Sequence, residues 1–145
     1  MDITVSLEKA KELKEYGWPQ DNYFLWIVDS SGSGHFGHYT FDHILVIDSV
    51  GVAEDGSKIA DKFSAPTAEE LLRRLPEAVK YPVRNAIEYE LLIRPFDDLD
   101  ERHWEITYAK DIDNVDNTPL HETTGSLSDA AAEMFIWLKQ NNLLH

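Results

Sequence analysis

Glu88-Tyr89-Glu90-Leu91-Leu92-Ile93-Arg94 and His103-Trp104-Glu105-Ile106-Thr107-Tyr108-Ala109 are the two stretches whose alternation decides the fold. Successive side chains of a strand point to opposite faces, so Tyr89, Leu91 and Ile93 share one face, as do Trp104, Ile106 and Tyr108. The pair reads as an antiparallel hairpin turning around Pro95 to Arg102, because proline and a run of acids interrupt the alternation there.

Upstream of the hairpin, Pro66-Thr67-Ala68-Glu69-Glu70-Leu71-Leu72-Arg73-Arg74-Leu75-Pro76 places Thr67 and Glu70 at capping-box spacing. Each side chain can then satisfy the other's exposed backbone amide, which starts a helix that Pro76 ends. Downstream, Leu127 to Leu144 sets Leu127, Ala131, Met134, Phe135 and Leu138 on one stripe, with Ser126 and Asp129 at the same capping spacing. This is an amphipathic helix with a stripe broad enough to cover a sheet.

The first half of the chain adds a helix and further strands. Ser6 to Gly17 carries Leu7, Ala10 and Leu13 at helical spacing, with Ser6 as N-cap, Gly17 as C-terminal cap and Trp18-Pro19 as the stop. Tyr23 to Val28 is dense in aromatic and β-branched residues and reads as a strand. His38 to Val50 reads as a second, with Phe41, Leu45 and Ile47 on one face and Ile44 and Val46 on the other; the loop at Asp29 to Gly37 joins the two. A third strand near Lys58 to Phe63 follows the turn signal Glu54-Asp55-Gly56. The order α, β, β, α, β, β, α predicts an α+β fold: one antiparallel sheet of four to five strands with helices packed on one face, in a single domain over 1–145.

Composition bounds the function. The chain has 145 residues, 43% of them apolar, enough for one sizeable core. It has no cysteine, which excludes a disulfide framework, a thiolate zinc site and a cysteine nucleophile. The first residues lack a basic segment followed by an apolar run, and no stretch approaches a membrane span, so the expected compartment is the cytoplasm, with no membrane partner. Thirteen Lys and Arg face 27 Asp and Glu, a net charge of −14. Such a field repels a phosphate backbone, and no local basic patch offsets it, so direct nucleic-acid binding is not expected.

Half of that excess sits in one stretch. From Asp97 to Glu122 there are nine acids (Asp97, Asp98, Asp100, Glu101, Glu105, Asp111, Asp113, Asp116, Glu122) and two bases (Arg102, Lys110), a net of −7. If the hairpin brings its loop acids beside Asp111, Asp113 and Asp116, one end of the sheet becomes an acidic patch for a basic partner; otherwise these are solvated loops.

Other motifs carry less. Gly32-Ser33-Gly34-His35-Phe36-Gly37 matches G-x-G-x-x-G, but the pyrophosphate of a dinucleotide needs a helix N-terminus after the third glycine, and His38-Tyr39-Thr40-Phe41 continues as a strand. Gly32, Gly34, His35 and Gly37 remain the alternative ligand site, with Trp18, Trp26 or His35 as stacking surfaces for a nucleotide or other small molecule. His35, His38 and His43 with Asp42 have metal-ligand chemistry, yet alternation sends His38 and Asp42 to one face and His43 to the other, so no metal site is expected. Asp111, Asp113 and Glu122 fit the first, third and twelfth positions of a calcium loop, but Val115 and Asp116 fail its fifth and sixth. No nucleophile, base and orienting acid come together, and the expected protein is not an enzyme and needs no cofactor.

Leu13-Lys14-Glu15-Tyr16-Gly17-Trp18-Pro19-Gln20, Ser64 to Pro76, and Leu127 to Leu138 with the ending Asn142-Leu143-Leu144 together resemble a group of small uncharacterised proteins of bacteriophages and prophages. The resemblance covers about a quarter of the chain, rests on helices, implies a viral or prophage context and carries no activity with it. The expectation is therefore a phage-type accessory protein that binds a host or viral protein through its acidic surface, DNA mimicry being the sharpest form. A sheet face left uncovered could also support a homodimer.

Overall fold

In a computed structural model, the described residues are 3–20, 24–28, 34–36, 39–41, 43–47, 61–81, 87–98, 101–110 and 119–144. They form α1 (Leu7–Glu15), β1 (Phe24–Val28), β2 (Gly34–Phe36), β3 (Tyr39–Phe41), β4 (His43–Ile47), β5 (Asp61–Ser64), α2 (Ala68–Leu72), β6 (Ala78–Lys80), β7 (Glu88–Asp98), β8 (Glu101–Ala109), β9 (His121–Gly125) and α3 (Leu127–Gln140). The class is α+β and every strand pairing is antiparallel. The strands are divided among sheets of three (β4-β1-β5), two (β2-β3) and four (β6-β7-β8-β9). The chain groups into two compact units, Ser6–Pro66 and Met1–Val5 with Thr67–His145.

In the unit Ser6–Pro66, α1 starts as its sequence requires: Ser6 Oγ accepts the Lys9 amide hydrogen at 3.3 Å. It ends in a Schellman arrangement, with the Trp18 amide donating to the Leu13 carbonyl at 2.9 Å and the Gly17 amide to that of Lys14 at 3.2 Å. Gly17 takes φ +87°, the left-handed backbone that glycine adopts without penalty. Ala10 and Leu13 face inward, and Lys11 and Lys14 set their ammonium groups 5.8 and 4.9 Å from the Phe63 ring of β5. β1 is the central strand, and its Ile27, paired with Ile44 and Lys62, is fully buried. The expected pairing of Tyr23–Val28 with the 38–50 run is present as β1 with β4. That run is not one strand, however: β3 pairs with β2 and only β4 joins β1, so a small hairpin interrupts the connection.

The second unit is built on the hairpin read first. Its register sets Leu91 opposite Tyr108 and Ile93 opposite Ile106, the same-face sets expected from alternation. β7 does not stop at Pro95, as the sequence suggests, but runs on to Asp98. The reason lies in the backbone. The Leu91 amide donates to Glu77 and the Tyr81 amide to Ile87, so odd-numbered residues of β7 direct their backbone polar groups toward β6. Pro95 shares that parity, past the point where β6 has ended, and its missing N–H removes no bond to β8.

α3 covers one face of this sheet. Its stripe is wider than expected, since Ser128, Ala130, Ala132 and Ile136 are buried along with Ala131, Met134, Phe135 and Leu138. The small side chains let neighbours approach on several sides: the Thr123 hydroxyl of β9 donates to the Ala130 carbonyl at 2.8 Å, and the Ser128 hydroxyl to the Thr4 carbonyl at 2.8 Å. α3 ends earlier than Leu144, in a second Schellman arrangement with Asn142 at φ 56°. α2 has the full capping box, with Thr67 and Glu70 exchanging two bonds of 3.3 Å, but lasts only to Leu72 before a tighter turn buries Leu75.

Candidate functional site

The hairpin β7–β8 is longer than the sheet around it. β6 accompanies β7 from Glu88 to Glu90, with one further bond at Leu91, and β9 accompanies β8 as far as Trp104. Among the described residues, Phe96–Asp98 and Glu101–His103 therefore pair only across the hairpin and form a two-stranded arm. Strand alternation places Pro95 and Asp97 on one face with Trp104 and Arg102, and Phe96 on the other with His103.

The arm combines charge with aromatic surface. Phe96 is 37% exposed and lies against His103, ring centroids 5.5 Å apart. Arg102 Nε donates to Asp97 at 3.2 Å, both side chains being largely exposed, a pair worth about 0–1 kcal/mol. Three steps down the hairpin, Arg94 donates to Glu105 at 2.8 Å and the Thr107 hydroxyl to the same carboxylate oxygen at 3.1 Å. Two of the nine counted acids, Asp97 and Glu105, are thus neutralised by arginines, and Arg94 lies outside the stretch over which charge was counted. The register also sets Asp98 directly opposite Glu101.

Asp97, Asp98 and Glu101 are brought together at the end of the arm, while Asp100, Asp111, Asp113 and Asp116 lie outside the described residues. The expected meeting of the two acidic stretches falls outside them too. Gly32 and Gly37 are likewise outside, as are His38 and Asp42. Gly34 and His35 belong to β2, paired with Phe41 and Thr40. Tyr39–Phe41 is a strand, where the dinucleotide motif requires a helix. Glu122 also lies in a strand, β9. No group of three or more metal-ligating side chains occurs among the described residues, and no helix among them is long and apolar enough to cross a membrane.

One cluster has no signal in the sequence. His121 of β9 lies flat on Trp137 of α3, centroids 4.4 Å apart and planes 4° from parallel. Burial lowers the His121 pKa from its usual value, and the carboxylate of Glu133 opposes that shift. Opposite His121 in the ladder, Tyr108 is fully buried and donates to the Pro76 carbonyl at 2.6 Å. The histidine and tryptophan are sixteen residues apart on elements of different period, so no spacing rule connects them. No protein-family model, curated protein or solved structure matches the chain.

Proposed function

We propose that this chain is a non-enzymatic, phage-type accessory protein that acts in a bacterial cytoplasm by gripping a basic segment of another protein with its β7–β8 arm. The observation that supports this reading is the overrun of the sheet by the hairpin. Three residues of β7, Phe96–Asp98, extend where neither β6 nor β9 follows, and they carry an exposed aromatic ring next to the exposed Asp97. Phe96 supplies apolar contact area, and Asp97, Asp98, Asp100 and Glu101 against the single Arg102 supply attraction for a cationic partner. Arginines interleaved with the acids favour a mixed protein interface over imitation of a uniform phosphate backbone.

A photo-crosslinking residue at Tyr81, Phe96 or Arg102 tests the arm in host lysate. A discrete adduct from positions 96 and 102, absent from 81 and lost at high salt, is the expected result. It should also disappear when Asp97, Asp98 and Asp100 become Asn and Glu101 becomes Gln. Adducts that survive both treatments would refute the proposal.

A further inference from the structure

We infer that Pro95 keeps this chain from pairing with a second copy of itself along the open edge of β7. An edge strand presents unpaired amides and carbonyls that template a further strand. Odd-numbered residues of β7 direct these groups toward β6, and the Leu91 amide makes the furthest bond of that ladder, to the Glu77 carbonyl. Past it, Ile93, Pro95 and Asp97 face an edge that no described strand occupies, and Pro95 and Asp97 are exposed. On the other side of the hairpin, even-numbered residues of β8 turn toward β9, as the bond from the Leu120 amide to the Tyr108 carbonyl requires. Beyond Trp104 that leaves Arg102 within β8, too short a row to hold a strand. The edge long enough to take one is that of β7, and proline sits at its centre.

A second copy of the chain fits this edge in every respect but one. Antiparallel pairing about a twofold axis at residue 95 sets Ile93 opposite the second copy's Asp97, and Arg94 opposite the second copy's Phe96. Neither contact opposes like charges, and the latter brings a guanidinium to an aromatic ring. Residues that face the edge exchange backbone bonds in such a pair, 93 with 97 and 95 with 95. Pro95 has no N–H to give, so both central bonds are lost and each ring fills the space of the missing hydrogen. The β5 edge is blunted by a different device. The Ala65 amide donates to the Phe24 carbonyl of β1, which turns Ser64 outward, and the Ser64 amide donates to Gln20 Oε1 at 3.0 Å. Gln20 Nε2 is held in turn by the Trp18 carbonyl at 2.9 Å, and the next outward residue is the exposed Lys62.

The test follows the full chain by size-exclusion chromatography with light scattering over a concentration series, in about 0.3 M salt to screen the net charge of −14. Pro95→Thr restores the central amide, and it should dimerise at concentrations about tenfold or more below any at which the wild type does. The Ile93 and Asp97 amides of that variant should gain exchange protection as its concentration rises. Adding Asp97→Pro returns a proline to the same edge and should bring association back to the wild-type level. The proposal is overturned if Pro95→Thr associates no more than the wild type, or if Asp97→Pro does not reverse the gain. Concentration-dependent protection of Ile93 and Asp97 in the wild type would overturn it as well. Should Pro95→Thr fail to fold, Pro95→Ala restores the same amide and is read by the same criteria.

Discussion

Replacing Tyr108 with Phe should give a stability difference that changes sign with pH. The ring is fully buried and keeps its packing in the variant, so the change is confined to one oxygen. At neutral pH the variant loses the 2.6 Å bond to the Pro76 carbonyl. A buried acceptor left without its donor costs about 1–3 kcal/mol, and because Pro76 is only half-buried, water can take up part of the released carbonyl. We expect a loss of about 1 kcal/mol, roughly fivefold in the folding constant. At high pH the balance reverses. Burial raises the Tyr108 pKa above its ordinary value of 10.0, because a phenolate there would be held away from water. With the folded value raised, the stability contributed by the neutral phenol is complete below about pH 10 and is lost as pH rises from there toward the folded value. The wild type then loses up to about 1.4 kcal/mol per pH unit that the Phe variant does not lose, and the two stability curves should cross within about one unit above pH 10. Urea unfolding followed by circular dichroism, at neutral pH and in steps from pH 9 to about pH 11, measures both arms; the other tyrosines and the lysines cancel in the difference. Curves that stay parallel throughout, or a variant as stable as wild type at neutral pH, would show that the buried hydroxyl does not act as described.

The two helix ends make a matched pair. A β-carbon at Gly17 meets no atom within 4 Å, so Gly17→Ala should cost about 1–2 kcal/mol from backbone conformation alone, whereas Asn142→Gly should be neutral or slightly stabilising; chemical denaturation of each variant checks both signs. Along β7, Pro95→Ala should change stability by less than about 0.5 kcal/mol, while Arg94→Pro, one residue away and facing β8, should cost about 3 kcal/mol or more beyond Arg94→Ala. Equal costs at 94 and 95 would contradict the parity assigned to the strand.

Local rules carried the reading of individual elements far. Ser6, Thr67 and Ser126 each cap the helix that their spacing announces, since a cap is satisfied by amides within the next turn. The faces of the hairpin follow from a period of two, and Leu91 meets Tyr108 as that period requires. Pro95 was misleading because a local rule treats proline as a breaker, whereas its effect in a sheet depends on which side its nitrogen faces and whether a strand lies there. The division into three sheets was hidden for a similar reason. Alternation identifies a strand without identifying its neighbour, so β2 and β3 cannot be separated from β1 and β4 on sequence pattern alone.

What the sequence by itself determined is the α+β class, the antiparallel hairpin at residues 88–109, the helix starts and the concentration of acids after Asp97, because each depends on residues near in the chain or on simple counts. The tertiary structure decided how those acids are compensated and where the sheet stops beneath them. Arg94 reaches Glu105 across the ladder, β6 and β9 end short of the arm, and Phe96 is left exposed on it. It also decided that His121 meets Trp137. These are contacts between residues distant in sequence, set by strand register and helix docking, and no local periodicity encodes them.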